Sequence, residues 1–210
     1  MVLVEGLKNM VRKLNLTIKR TIDILGSGIG LIVISPFLLI IAIIIKLTAP
    51  GPVFFRQERL GYKGRVFKII KFRTMVVNAE HMGTGLKVKD DTDDRITPIG
   101  HFLRKTSIDE LPQLINVLKG DMSLVGPRPP VTYHPYKGYE GYSDFSKRRF
   151  DMRPGMTGLA QARVRNSATW DERIAYDVEY VDKFSVLFDI RILIETVKVV
   201  LNSKNIYAHK

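Results

Sequence analysis

The feature that most constrains this chain is an apolar run near its N-terminus. From Ile24 to Ile45 the sequence carries no charged residue. As a straight helix this run would be about 33 Å long, which is enough to cross the hydrocarbon core of a bilayer. A cleavable signal peptide has a shorter apolar core and a small-residue cleavage site, and no such site follows here. The run therefore predicts a membrane helix.

The centre of the run is interrupted by Ser35 and Pro36. Proline removes a backbone donor and clashes with the preceding turn, so we expect a break there, with the Ser35 hydroxyl satisfying a freed carbonyl. Basic residues, which favour the cytoplasmic side, flank the run at both ends. They are Lys8, Arg12, Lys13, Lys19 and Arg20 before it, and Lys46, Arg56, Arg59, Lys63, Arg65, Lys68, Lys71 and Arg73 after it. A re-entrant helix keeps both flanks on one face, whereas a kinked spanning helix carries one across, and physics alone leaves both open.

The overall charge narrows the class of ligand. Lys and Arg outnumber Asp and Glu by 33 to 21 in 210 residues, which gives a formal net charge of +12. Such a surface attracts nucleic acid, anionic lipid or phosphate-bearing substrates. The chain has no cysteine, which excludes disulfides and cysteine-ligated zinc, and its four histidines lack metal-ligand spacing.

The chain divides into two predicted parts, residues 1–48 with the basic N-terminus and the apolar run, and residues 49–210, which begin with a Pro/Gly linker. We predict an α+β fold that is mostly helical. The second part should contain a hairpin or short strands (53–75), a polar loop (76–98), an irregular segment (121–165) and helices at 110–119, 169–184 and 189–201. The apolar face of the last helix fits either the core or a lipid surface.

Two segments of the second part are interpreted as loops. The acidic run Asp90, Asp91, Asp93 and Asp94 lacks EF-hand spacing and a closing glutamate, so a solvated turn is favoured over a calcium loop. Residues 131–149 contain four tyrosines and are interpreted as a surface loop, with stacking of a tyrosine on a sugar or a uracil left open.

The most informative stretch contains the adjacent carboxylates Asp109 and Glu110. Ser107 can be a helix N-cap that forms a capping box with Glu110, or Asp109 can be the N-cap, which puts Pro112 in the first turn where proline is tolerated. In the second case the pair lies at the positive end of a helix dipole, where a carboxylate stays ionised and a phosphate binds readily. Helix capping without catalysis remains an alternative for Asp109.

Cationic candidates surround this pair in the sequence. Arg104 lies just upstream, and Arg128 lies between prolines that stiffen its backbone and present its guanidinium to a phosphate. The alternative for Arg128 is a surface arginine in a proline-rich turn. Lys71 and Arg73 add further positive charge. Two carboxylates together with phosphate oxygens form a hard-oxygen site that suits Mg²⁺.

A series of motifs across most of the chain resembles the bacterial sugar transferases known as monotopic phosphoglycosyl transferases. The motifs are KRTID (19–23), SP (35–36), PGPVF (50–54), KFRTM (71–75), TSIDELPQ (106–113), VGPRP (125–129) and RPGMTG (153–158). The resemblance implies a re-entrant membrane helix hairpin broken at Ser35 and Pro36, amphipathic interfacial helices, and a small catalytic domain on the cytosolic face of the bacterial inner membrane. Because the chain begins almost directly at the apolar run, we expect the compact form of the family.

The resemblance also implies a reaction. A sugar-1-phosphate passes from a UDP-sugar to a polyprenol phosphate such as undecaprenyl phosphate, UMP is released, and the product starts the membrane assembly of a glycan or polysaccharide. Asp109 is the implied nucleophile, which forms a covalent aspartyl-phosphosugar, and Glu110 is its partner, with both holding Mg²⁺. The residues implied to bind substrate phosphate are Lys71, Arg73, Arg104 and Arg128.

Two other classes of protein fit part of the sequence. A membrane-anchored nucleic-acid-binding module would explain the charge, but the basic residues concentrate beside the apolar run, where anionic lipid explains them, and no nucleic-acid motif is evident. We therefore expect membrane lipid and no nucleic acid among the partners. A membrane scaffold without chemistry is separated from an enzyme by UMP release from UDP-sugars. The sugar, the polyprenol length, the glycan pathway and the oligomeric state, a homodimer included, stay open.

Overall fold

Helices dominate the fold and two small sheets complete it, as the predicted α+β class requires. The computed structural model describes residues 2–86, 88–89, 92–164 and 168–201. The α-helices are α1 (Val2–Thr48), α2 (Pro98–Thr106), α3 (Leu114–Lys119), α4 (Asp144–Lys147), α5 (Leu159–Arg163), α6 (Trp170–Lys183) and α7 (Val186–Leu201). The 3₁₀ helices are Tyr62–Gly64, Ala79–His81, Ile108–Gln113 and Arg148–Asp151. The strands are β1 (Phe54–Leu60), β2 (Val66–Phe72), β3 (Ser123–Val125) and β4 (Gly155–Thr157).

Helix α1 has 47 residues and is continuous through Pro36. Pro36 cannot donate to the carbonyl of Ile32 one turn back. The Ser35 hydroxyl donates to that carbonyl instead at 2.9 Å, as the sequence predicts. Because this bond satisfies the freed carbonyl, the hydrogen-bonded helix continues through Ser35 and Pro36. The kink and the re-entrant bend at these residues stay predictions.

The apolar surface of α1 is largely uncovered. Among the described residues, α1 is the one helix long and apolar enough to cross a membrane, and 11% of its apolar window is buried inside the protein. Large side chains such as Ile32 and Val33 are 76% and 71% exposed. A surface of this kind is too apolar for water and suits a lipid or protein environment.

The first half of α1 is anchored to the rest of the chain by buried polar side chains. Lys19 forms an ion pair with Asp189 of α7 at 2.6 Å. Asp23 accepts a hydrogen bond of 2.9 Å from the backbone N–H of Leu124, and Arg20 donates to two carbonyls of α3. The sequence counted Lys19 and Arg20 among basic residues explained by lipid, and the structure instead commits both to protein contacts.

The C-terminal end of α1 contacts the same body of the protein. Ile41 and Ile45 are buried and pack against Phe72 of β2 and Leu103 of α2. Both ends of the apolar helix therefore lie against one compact unit that is formed by the rest of the chain.

The predicted hairpin is confirmed, and a second sheet lies where an irregular segment was expected. Strands β1 and β2 pair antiparallel, with Phe54 opposite Phe72. Strands β3 and β4 pair in parallel within residues 121–165. A Cβ at Gly155 would lie 2.1 Å from the backbone nitrogen of Gly126, so only glycine permits this close approach. The short β3 and β4 strands have no periodicity that would have identified them.

Helix α2 was missed, although the sequence contains its start signal. Thr97 is the N-cap and accepts a hydrogen bond of 3.1 Å from Gly100, and Pro98 occupies the first turn, where proline is favoured. A Cβ at Gly100 would lie 2.0 Å from the carbonyl oxygen of Thr74, so α2 packs directly on the chain that leaves β2.

Both loop interpretations hold only in part: the segments are largely turns and bends, with Asp94 and Tyr133 exposed, but each buries a central residue. Asp93 is buried in an ion pair with Arg95, whereas Asp90 and Asp91 lie outside the described residues. In the tyrosine-rich segment Tyr142 is buried, and its ring lies edge-on to that of Phe150 at 5.1 Å. Tyr136 and Tyr139 pack on the same apolar cluster, which includes residues of the hairpin and of α6, whereas Tyr133 stays exposed.

The two C-terminal helices agree closely with the sequence. Thr169 and Glu172 form the predicted capping box at the start of α6. Helix α7 begins at Val186, three residues earlier than expected. Its Ile192 is buried in the core while Ile194 on the other side is 52% exposed, so the helix faces the core on one side and exposes apolar residues on the other.

Candidate active site

The acidic pair is carried by a tight turn rather than by the expected α-helix over 110–119. Residues Ile108–Gln113 form a 3₁₀ helix, and the α-helix begins only at Leu114. Pro112 explains the difference, because it would be the fifth residue of an α-helix capped by Ser107 and cannot donate to the ladder. Ser107 precedes the turn in a left-handed conformation and its side chain caps nothing, so the predicted capping box is absent. Asp109 lies inside the first turn and is not its N-cap.

Strand β2 brings Lys71 against this turn. Asn116 of α3 is buried and joins α3 to the strand, because its side chain accepts from the N–H of Ile70 and donates to the carbonyl of Lys68. Lys71 follows and its Nζ lies 2.5 Å from Glu110 Oε1. The lysine therefore neutralises the second carboxylate of the pair.

The two carboxylates differ in how they respond to this environment. Burial raises the pKa of Asp109 to about 6, and the charges of Lys71 and Arg104 only partly oppose the rise. Burial also acts on Glu110, but Lys71 and then Arg128 outweigh it and lower the pKa of Glu110 to about 2. Among the described residues, no ion pair involves Asp109. Burial therefore works against the ionised state that was expected for Asp109 at a helix start, and the carboxylate lacks a direct ionic partner among these residues.

A single cavity of about 320 Å³ holds most of the predicted site. Its lining includes the predicted residues Lys71, Arg104, Asp109, Glu110 and Arg128. Three cations and two carboxylates thus surround one space, which gives it the positive balance that a diphosphate needs. The sequence correctly predicted that these residues come together.

Arg128 is held in place by a buried ion pair that the sequence did not reveal. Arg149 and Asp177 are each 1% exposed and lie 2.5 Å apart. Arg149 donates to the backbone carbonyl of Arg128 at 2.7 Å. The backbone carbonyl of Arg128 is therefore fixed, in addition to the restriction from its neighbouring prolines.

Arg73 is not brought to this cavity. Its buried guanidinium donates to the carbonyls of Ala49 and Pro50, at 2.7 Å for Ala49, and so fixes the chain that leaves α1. Strand β2 ends at Phe72, so the alternation that directs Lys71 into the site does not continue to Arg73.

Comparison with known proteins decides the family. A model of bacterial sugar transferases matches residues 14–203. The chain belongs to the bacterial sugar transferase family. The resemblance inferred from the motifs is therefore confirmed over almost the whole chain.

Three relatives of this sugar transferase are informative. Galactosyl transferase CpsE of Streptococcus agalactiae is 46% identical over 197 residues, which cover 89% of this chain and 43% of CpsE. The UDP-glucose:undecaprenyl-phosphate glucose-1-phosphate transferase of Caulobacter vibrioides is 42% identical, with coverage of 90% and 72%. Exopolysaccharide production protein PSS of Rhizobium leguminosarum is 45% identical, with coverage of 88% and 95%. The chain thus spans less than half of CpsE but nearly all of PSS.

The opposite wall of the sugar transferase cavity was missed by sequence reasoning. It includes Gln161 of α5 and Trp170 and Arg173 of α6. The Arg173 guanidinium lies over the Trp170 ring at 5.4 Å from its centre. Trp170 is the only tryptophan of the chain and follows the Thr169 cap that the sequence did identify, so the cap was a usable signal for a residue near the site.

The donor set of the cavity fits Mg²⁺. Among the described residues there is no cluster of three or more metal-binding side chains, and the adjacent carboxylates of the cavity are Asp109 and Glu110, since Asp177 is paired with Arg149. Mg²⁺ is usually bound by one or two carboxylates together with substrate phosphates and water, so this pair is sufficient. Asp109 is the freer ligand, because Glu110 already binds Lys71.

Proposed function

We propose that the chain is a phosphoglycosyl transferase that moves a sugar-1-phosphate from a UDP-sugar to a polyprenol phosphate and releases UMP. The observation that carries this proposal is the Asp109–Glu110 pair, which shares one cavity with Lys71, Arg104 and Arg128. The printed names of relatives include a UDP-glucose:undecaprenyl-phosphate glucose-1-phosphate transferase and an undecaprenyl-phosphate galactose phosphotransferase, which supports the reaction class. Because these names differ in the sugar, no single sugar follows for this chain.

The reaction proceeds in two displacements. An oxygen of Asp109 attacks the phosphorus that is bonded to the sugar, a new P–O bond forms, and the bond to UMP breaks with its electron pair leaving on UMP. A phosphate oxygen of the polyprenol phosphate then attacks the same phosphorus and returns the carboxylate of Asp109. Lys71, Arg104 and Arg128 stabilise the charge that develops on the phosphoryl oxygens.

The division of roles between the carboxylates follows from their partners. Lys71 neutralises Glu110, so this carboxylate is the poorer nucleophile and is suited to orient the site. Asp109 has a pKa raised to about 6 and no ion pair among the described residues, so its carboxylate is more basic than an ordinary aspartate and is not held by a cation. When bound, Mg²⁺ would supply additional neutralisation of the diphosphate, held by Asp109 and Glu110.

Membrane placement is the second part of the proposal. Residues near both ends of α1, Lys19 and Ile45 among them, contact the same body of the protein. A helix that spans the bilayer would separate these contacts, whereas a re-entrant helix would keep them together on the cytosolic face of the inner membrane. Single cysteines at exposed Lys13 and Lys63 should then both label from the cytosolic side. Labelling from opposite sides would instead establish a spanning helix.

The function is tested by supplying purified protein with UDP-sugars one at a time, Mg²⁺ and a polyprenol phosphate. We expect UMP and a polyprenyl diphosphate sugar from at least one UDP-sugar, and neither product from the Asp109→Asn variant, since an amide is a poor nucleophile. Release of no UMP from any UDP-sugar would contradict the proposal and favour a scaffold without chemistry.

A further inference from the structure

Ser107 joins α2 to the turn that carries the acidic pair. Its N–H donates to the carbonyl of Arg104 at 3.2 Å, and its own carbonyl accepts from the N–H of Glu110 at 3.2 Å. Its backbone is left-handed, with φ of 58° and ψ of 16°. This position after the end of a helix is commonly occupied by glycine, which adopts the conformation without steric cost.

A serine at this position carries a conformational cost, since a residue with a Cβ disfavours the left-handed region. The described part of the chain has two other non-glycine residues with positive φ, Lys63 and Asn78. Neither lines the cavity, whereas Ser107 does. Strained residues cluster at functional sites because the side chain there has a use that offsets the strain.

The side chain of Ser107 is exposed and its hydroxyl makes no hydrogen bond with any described residue. It lines the same cavity as Asp109, two residues further along the same turn. The cations of this cavity supply charge but are long and flexible or planar groups. A hydroxyl on the turn itself is a short, neutral donor whose position is fixed by the backbone that also fixes Asp109.

We propose that the Ser107 hydroxyl donates a hydrogen bond to a phosphoryl oxygen of the sugar phosphate while that group is bonded to or approaching Asp109. This inference rests on the proposed function. Its ligand is the phosphoryl group of the transferred sugar phosphate. Such a bond strengthens as negative charge gathers on the phosphoryl oxygens, so it should accelerate turnover more than it tightens substrate binding.

The test separates the hydroxyl from the backbone. Ser107→Gly removes the hydroxyl and also the strain, so we expect equal or higher thermal stability and a UMP burst rate, measured without lipid acceptor, that falls ten- to a hundredfold. Ser107→Ala removes the hydroxyl but keeps the Cβ, and its burst rate should fall equally. The KM for the UDP-sugar should change much less in both variants. Asn78→Gly is the matched control at a remote left-handed residue and should keep the wild-type burst.

Three results would overturn the inference. Wild-type burst rates in both Ser107 variants would exclude a contact with the phosphoryl group. A wild-type rate in Ser107→Ala combined with a slow rate in Ser107→Gly would mean that Ser107 only stiffens the turn. No burst from wild-type protein would remove the covalent step on Asp109, and no UMP even with polyprenol phosphate present would remove the proposed function, which distinguishes both failures from failure at Ser107 alone.

Discussion

Two buried ion pairs of the same chemical type lie in different regions of this protein. Arg149 and Asp177 lie beside the cavity, and Arg95 and Asp93 lie under the surface loop that precedes α2. The side chains of both pairs are at most 8% exposed. Their hydrogen bonding nevertheless differs, and so does what each pair holds in place.

The loop pair is satisfied by its own neighbourhood. Arg95 donates to both oxygens of Asp93 and to the carbonyls of Ala79, Met82 and Gly85. The hydrogen bonds that Asp93 accepts, first from the Arg95 side chain and then from the backbone N–H groups of Lys89 and Arg95, outweigh the effect of burial and hold the pKa of Asp93 well below its usual range. The pair therefore joins two parts of the same loop and, in the part of the chain that the structure describes, holds no residue of the cavity.

The cavity pair is only partly satisfied. Among the described residues, Asp177 Oδ1 and Arg149 Nη1 have no hydrogen-bond partner. Burial dominates and raises the pKa of Asp177 to about 6, although Arg149 and the backbone of Arg128 oppose the rise. The groups that are bonded fix Arg128. A buried ion pair beside a cavity can thus be retained at a cost in stability because it positions a residue of the cavity lining, here Arg128.

The largest effect is expected when the acid of each ion pair, Asp177 or Asp93, is replaced by asparagine. Asp177→Asn leaves Arg149 buried without a counterion, which should cost roughly 3–5 kcal/mol of unfolding free energy and lower the turnover of the folded protein at least tenfold. Asp93→Asn should cost less, because its loop can open locally and rehydrate Arg95, and turnover should be unchanged. Denaturation and UMP release from the same preparations measure both. Equal turnover in the two variants would show that the cavity pair has no positioning role.

A smaller effect is expected at Arg128, which is held by the cavity pair and not by the loop pair. Arg128→Lys keeps the charge but loses the planar two-pronged donor. Turnover should fall roughly 10- to 100-fold, about 1.4–2.7 kcal/mol, with the protein folded and membrane-bound. If Arg128 contributes only ground-state binding, KM will rise instead and turnover will stay. Unchanged kinetics would return Arg128 to a surface arginine in a proline-rich turn.

The smallest expected effect is on the pH dependence of stability, and the two acids should act in opposite directions. The pKa of Asp177 is raised to about 6 in the folded protein, so folding takes up a proton and the unfolding free energy falls as pH rises from about 4 to 6. Asp93 has a lowered pKa, so its contribution is present above about pH 4 and is lost as pH falls further.

Replacing each acid should remove its own contribution to the pH dependence of the unfolding free energy. That contribution has a slope of at most about 1.4 kcal/mol per pH unit. Urea denaturation of wild type, Asp177→Asn and Asp93→Asn between pH 3 and 7 measures the difference. A change of slope in the same pH range for both variants would contradict the opposite pKa shifts.

The sequence predicted the elements whose signals are local. The capping box at Thr169 and Glu172 and the hairpin of β1 and β2 needed only short-range patterns. The two adjacent carboxylates, together with the family motifs, indicated which residues line the cavity. The sequence did not predict the turn geometry at Ser107. Both Ser107 and Asp109 were compatible with the N-cap position of an α-helix, whereas Pro112 favours the 3₁₀ helix that the structure contains.

Other parts depended on contacts between distant residues. Arg149 and Asp177 are 28 residues apart and meet only through the packing of α6 on the cavity loops. Arg73 shares its motif with Lys71, yet the end of β2 separates their roles. In the sequence Lys19 resembles a lipid-facing lysine, but in the fold it is paired with Asp189 of α7. In each case a charged residue had several compatible partners in sequence, and only the tertiary fold selected one.

The proposed mechanism requires that Asp109 carries the sugar phosphate covalently. Wild-type protein given a UDP-sugar it uses and Mg²⁺, without lipid acceptor, should release up to one equivalent of UMP per active site. Its intact mass should rise by one sugar phosphate, and peptide mapping should locate the adduct on Asp109, while Asp109→Asn shows neither signal. UMP release that appears only when polyprenol phosphate is present, with no adduct that can be trapped, would contradict the account and make Asp109 a metal ligand in a direct transfer.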